Sequence, residues 1–166
     1  MFKDRYRKGA HTVLDIKYHF VWKTKYSYKI LKGSLALRIR DLLRNIAAEK
    51  DVEIIRGNVR PDHIHVLVSA PAHLSPSKVI QLLKGKSSHR LQREFPELRK
   101  KYWGQHLWAR GYFCSTVGAI TEEMVKQYIE NQGEEDKNFK IWDEKNENDK
   151  KKVKEILQDL YEVPGL

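Results

Sequence analysis

Eight residues at 63–70, HIHVLVSA, constrain the fold more than any other stretch of the chain. Apart from two histidines the run reads as strand core. Pro61-Asp62 immediately before it marks a tight turn from another Val- and Ile-rich stretch at 52–60. Two strands joined by that turn are expected.

Around this pair the hydrophobic period alternates between two and 3.6 residues. HTVLDIKYHFVWK at 11–23 alternates as a strand with one strongly apolar face, Leu14, Ile16, Tyr18, Phe20 and Trp22. After Gly33, Ser34 reads as the N-cap of a helix in which Leu35, Ile39, Leu42, Leu43 and Ile46 recur at helical spacing. Ser75-Pro76 opens a second helix running to about Phe95, with Val79, Leu82 and Leu83 apolar. LWARGYFCSTV at 107–117 reads as a fourth strand interrupted by Gly111. Thr121 then opens a third helix, TEEMVKQYIENQ, stopped by Gly133, and a short helix is expected near 149–161. The order β-α-β-β-α-β-α predicts an α+β protein with a ferredoxin-like split β-α-β core. That core has a four- to five-stranded antiparallel sheet, helices on one face, and an additional C-terminal helix. The domain is expected over residues 1–135, with 136–166 a charged tail.

Charge narrows the class of partner. The chain carries a net +10, spread unevenly. Residues 1–40 hold eleven Lys/Arg against two acids and residues 75–111 nine against two, whereas 133–166 hold seven against ten. Basic clusters on an ordinary domain point to a polyanion, usually nucleic acid. No basic amphipathic helix with apolar anchors argues for a membrane surface, and no run nears the length of a transmembrane helix. The N-terminus lacks the apolar core of a signal peptide, and the single cysteine, Cys114, excludes an internal disulfide. A cytoplasmic protein is expected.

In a strand, residues i and i+2 share a face, so His63 and His65 project side by side. Neutral imidazoles offer two corners of a metal site, and a polar pair on a solvated face is the alternative. A hard, labile cation such as Mg²⁺ or Mn²⁺ would need an oxygen ligand as well. On the third helix Tyr128 and Gln132 lie four apart, hence on one face. Gln132 has a carbonyl oxygen, and Tyr128 a hydroxyl able to attack an electrophile. Spacing alone favours Tyr128 as a core residue beside Met124, Val125 and Ile129. Four other histidines, His19, His73, His89 and His106, read as isolated surface or structural residues. Cys114 reads as a small core residue, and GKSS at 85–88 lacks the upstream glycine of a phosphate-binding loop.

Taken in order, His63-Ile64-His65, Tyr128-Ile129-Glu130-Asn131-Gln132, the opening HTVLDIKYHFVWKTKY and LWARGYFCSTVG form a recognisable set. Over about residues 8–135 the chain resembles the single-tyrosine HUH transposases of small hairpin-ended insertion sequences, the IS200-like transposase family. The resemblance implies Tyr128 as the nucleophile that forms a 5′-phosphotyrosine, with Mg²⁺ or Mn²⁺ held by His63, His65 and Gln132. It also implies a homodimer, with the tyrosine helix of one subunit able to complete the other's site. The substrate implied is single-stranded DNA bearing hairpins. Arg38, Lys84, Lys86, Arg90 and Arg93 are candidate DNA contacts from their helix positions. Two other readings stand beside this one: a domesticated relative acting on chromosomal hairpin repeats, and a non-catalytic nucleic-acid-binding module.

Overall fold

The computed structural model describes residues 6–102, 104 and 106–118. A small antiparallel hairpin of β1 (Arg7–Lys8) and β2 (Val13–Leu14) precedes β3 (Lys17–Lys23), α1 (Gly33–Ala48), β4 (Glu53–Val59) and β5 (His63–Ser69). There follow α2 (Pro76–Glu94), α3 (Pro96–Lys101) and β6 (Phe113–Thr116). The main sheet has four strands in the order β4-β5-β3-β6, every neighbouring pair antiparallel. With β3, α1, β4, β5, α2 and β6 in succession, this is the ferredoxin-like arrangement expected from the periodicity.

The two central strands are covered on both faces. On one face Phe20, Trp22, Ile64, Val66 and Val68 pack with Leu35, Ile39, Leu42 and Ile46 of α1 and Val79, Ile80, Leu83 and Leu91 of α2. Each such fully buried side chain contributes about 1.5–3 kcal/mol relative to exposure. Alternation turns His19, Val21, His63, His65 and Leu67 to the opposite face, where Leu67 packs with Val117 and Ile55. The histidine pair therefore sits on the face away from α1 and α2.

Several boundaries differ from the periodicity. The 11–23 segment is two strands: Val13–Leu14 pairs back with Arg7–Lys8, and the main strand begins at Lys17. The Gly9 amide donates to the Thr12 carbonyl at 2.8 Å, closing the turn that draws β2 away from the main sheet. Helix α1 starts at Gly33, after Lys32 in an extended conformation without a side-chain cap, so Ser34 lies inside the helix. Gly33 takes a φ of +55°, which glycine accepts without a Cβ clash. Helix α2 does open at Ser75-Pro76 as expected, and Ser75 caps it, its Oγ accepting from the Lys78 amide at 3.2 Å. The fourth strand shrinks to Phe113–Thr116, while Trp108 forms an isolated bridge with Thr24 on the far side of Gly111, whose φ is +79°. Residues 85–88 lie within α2. The segment expected to form the tyrosine helix, with Tyr128 and Gln132, and the one expected to be helical near 149–161 lie outside the described residues. Among the described residues no helix is long and apolar enough to cross a membrane.

Candidate functional site

The register of β3 against β5 builds the site. Lys23 stands opposite His63, Val21 opposite His65 and His19 opposite Leu67, so His19 lies diagonally across from His65. All three histidines are buried. The rings of His63 and His65 meet edge to face with centroids 5.0 Å apart, while His19 stacks on His65 at 5.6 Å. Nε2 of His19 and Nδ1 of His65 are hydrogen-bonded at 3.3 Å. At the strand entrance Nδ1–H of His63 donates to Oδ1 of Asp62 at 2.6 Å. Phe113 on β6 closes the other side of His19, edge-on at 6.0 Å.

Burial sets the protonation of this cluster. Removing an imidazolium from water is unfavourable, so His19 is pushed down to about 4. His65 falls well below the usual histidine range, first through burial and then through the neighbouring His19, His63 and Arg60. Burial also lowers His63, although Asp62 pulls the other way. Near neutral pH the three rings are uncharged, and each keeps one nitrogen lone pair. For His63 the Asp62 carboxylate accepts from Nδ1–H and so keeps the proton on that nitrogen, which puts the lone pair on Nε2.

Both Nδ1 atoms of the pair thus have partners within the fold, Asp62 for His63 and His19 for His65. Carboxylate and imidazole partners of this kind orient metal-ligating histidines. The donor set fits a divalent cation as two of its ligands. Among the described residues, no group of three or more His, Cys, Asp or Glu could hold a metal ion. The expected oxygen ligand, Gln132, and the expected nucleophile, Tyr128, belong to the segment outside the described residues. Cys114 offers no competing nucleophile: it is half-buried on β6 and burial pushes its thiol up to about 11.

The expected DNA contacts fall on the helix side of the sheet, and four of the five make contacts within the fold. Arg38 forms a bidentate pair with Glu94 at 2.6 and 2.8 Å. Lys86 and Arg90 both bind Glu49. Lys84 donates to the carbonyls of Ala109 and Gly111, each at 2.8 Å. Arg93 is exposed at the end of α2. Lys84 also lines a cavity of about 560 Å³ together with Lys25, His89, Arg99, His106 and Arg110. Its wall is fixed where Trp108 Nε1 donates to the buried Ser87 Oγ at 3.0 Å. This cavity and the two partners Asp62 and His19 escape a reading of the sequence alone. Only the odd-numbered phase shared by His19 and Val21 hints that His19 joins the second face.

The sequence profile of the family described as "Transposase IS200 like" matches residues 12–132. The chain belongs to that family. Among its relatives, the "ISDra2 transposase TnpA" of Deinococcus radiodurans is 37% identical over 126 residues, covering 76% of this chain and 90% of the relative. The "Transposase for insertion sequence element IS200" of Salmonella typhimurium is 38% identical over 128 residues, covering 77% and 84%. A crystal structure of a candidate transposase from Deinococcus radiodurans superposes with a TM-score of 0.64 at 36% identity, over 76% of this chain and 97% of that one. A REP-associated tyrosine transposase, bound to a REP hairpin in its own structure, gives a TM-score of 0.53 at 15% identity, over 78% and 69%. That last likeness is one of fold. In this IS200-like transposase the paired histidines lie on the sheet face away from α2, whereas the basic cavity is lined by α2 and residues 106–110.

Proposed function

We propose that this transposase cleaves and rejoins single-stranded DNA beside hairpins, through a 5′-phosphotyrosine on Tyr128. The observation that carries the reading is the His63–His65 pair: buried, neutral, and held through both Nδ1 atoms by Asp62 and His19. With Gln132 as a third ligand, the pair would hold Mg²⁺ or Mn²⁺. When bound, such a cation supplies Lewis-acid stabilisation of the charge that develops on the scissile phosphate. For His65 to offer its Nε2, its Nδ1–H must donate to Nε2 of His19, and burial keeps His19 neutral and able to accept.

Tyr128 attacks phosphorus: a Tyr–O–P bond forms, the P–O3′ bond breaks, and the 3′-oxygen leaves as a hydroxyl after gaining a proton. A free tyrosine titrates near ~10, so its phenol must lose its proton as the bond forms. The covalent link conserves the phosphodiester, so a later 3′-hydroxyl reverses the step and joins a new strand without ATP. Lys25, Lys84, Arg99 and Arg110 around the cavity suit the phosphates of a hairpin, supplying affinity that falls steeply with salt. Moving an element requires cutting two ends, which a homodimer with two sites provides. Mixed dimers of Tyr128→Phe and His63→Ala subunits test whether sites are shared: recovery of cleavage shows a composite site, and its complete absence rejects one.

The direct test is incubation with labelled single-stranded hairpin DNA and Mg²⁺, followed by denaturing electrophoresis. The reading predicts a protein–DNA adduct that is absent with EDTA and absent in Tyr128→Phe. An adduct that persists in Tyr128→Phe rejects the nucleophile.

A further inference from the structure

Beyond the end of β3 the chain makes a turn that ordinary residues avoid. Tyr26 and Ser27 take φ of 62° and 52°, the left-handed region in which a Cβ is crowded. Glycine would relieve both positions, yet each carries a side chain. Strain of this kind persists only where surrounding contacts over-determine it. Here the Thr24 amide donates to the Asp62 carbonyl at 2.9 Å, and the Lys25 amide to the Leu107 carbonyl at 2.8 Å. Thr24 Oγ1 donates to the Tyr28 carbonyl at 2.7 Å. The turn is thereby fastened to Asp62, the residue that orients His63.

What this turn holds out is aromatic. Tyr26 is 61% exposed and Tyr28 38%, with ring centroids 5.4 Å apart. Tyr28 leans on the fully buried Tyr102 at 5.5 Å, which gives the pair a rigid backing. Cations accompany both rings: Lys25 Nζ lies 5.1 Å from the Tyr26 centroid and Lys101 Nζ 5.0 Å from that of Tyr28. Lys25 also lines the basic cavity.

We infer that Tyr26 and Tyr28 form a stacking platform for an unpaired nucleobase of the DNA strand between the basic cavity and the histidine pair. The inference rests on the proposed function and adds to it the subsite that holds the single-stranded flank. An apolar peptide would gain nothing from the lysines. A nucleotide matches both features, its base stacking on a ring and its phosphates meeting Lys25 and Lys101. Rigid backing lowers the ordering cost of binding. Because every base has a π-face, the platform tolerates sequence.

Fluorescence anisotropy with two labelled DNAs tests the platform: a blunt hairpin, and the same hairpin flanked by unpaired nucleotides. Tyr26→Ala and Tyr28→Ala are expected to weaken binding of the flanked hairpin about tenfold, with the blunt hairpin bound as by the wild type. Tyr26→Phe, which keeps the ring, retains wild-type affinity, and so does Ser27→Gly, which relieves strain without removing one. A Tyr26→Ala protein that binds the flanked hairpin as tightly as wild type, or weakens on both DNAs alike, overturns the platform and leaves the proposed function standing. A wild-type protein that binds neither DNA overturns the proposed function and the platform with it.

Discussion

The two faces of the sheet treat polar side chains in opposite ways. On the face away from the helices, His19, His63 and His65 are buried, neutral and hydrogen-bonded, two of them to each other. On the helix side, Arg38, Lys86 and Arg90 find carboxylates, Glu94 and Glu49, at the surface. The physical consequences diverge. A desolvated imidazole resists protonation and presents a lone pair in a fixed direction, which suits a ligand whose geometry matters. An exposed ion pair contributes little in water and can exchange one anion for another, which suits a phosphate backbone whose sequence is not read. On the proposed reading, the first face would hold the metal and the second the DNA backbone.

Substitutions that strike the first face break this comparison most strongly. His65→Ala is expected to lower Mn²⁺ affinity by more than roughly 100-fold, beyond the 10- to 100-fold range typical of orienting residues. Titration calorimetry measures it, and a small loss would remove the pair from the metal site. Acid acts on the same face through stability. His19 binds its proton at about 4 in the folded protein but at 6.5 when unfolded. The unfolded chain therefore takes up the proton first as pH falls. Stability of about 3 kcal/mol, fully present above the unfolded value, is lost as pH drops through that window toward the folded one. His63 and His65 shift in the same direction. Urea midpoints compared across that window check the sign, and a midpoint that does not fall on acidification contradicts it.

Weaker effects sharpen the contrast. His19→Ala leaves both proposed histidine ligands in place and removes only the partner of His65, so metal affinity should fall about 10- to 100-fold. Nitrogen chemical shifts of His65 should show mixed tautomers in that variant and one tautomer in the wild type. On the helix side, Glu94→Gln frees Arg38 and should tighten hairpin binding by about two- to fivefold at low salt, with the gain fading as salt rises. Its melting temperature should match wild type, and a large drop would mean that the pair supports the fold rather than waiting for DNA.

Much of this contrast could be read from residue order, and the rest depends on contacts between distant segments. Helix α2 was legible because Ser75 and Pro76 punctuate its start and its apolar positions hold their phase. The proximity of His63 and His65 needed only strand alternation. The break between β2 and β3 was hidden, because Leu14, Ile16 and Tyr18 keep one phase straight through it. Ser34 looked like a cap because its chemistry suits one, whereas the backbone freedom of Gly33 decides where α1 begins. His19 looked isolated because its partner lies 46 positions away, reached only through the β3–β5 register. Likewise Glu49 meets Lys86 and Arg90 across 37 and 41 positions, so no local pattern announced that those charges were engaged. The KYSYK turn at 25–29 displays its aromatics only once two left-handed residues are seen in the backbone.

The central claim is that His63 and His65 are the protein's metal ligands. Pulsed electron paramagnetic resonance of Mn²⁺ added to protein labelled with ¹⁵N-histidine tests it most directly. The account predicts hyperfine coupling to two imidazole nitrogens, reduced to one in either His63→Ala or His65→Ala. Mn²⁺ coupled only to water, or a two-nitrogen signal unchanged in both variants, would contradict it.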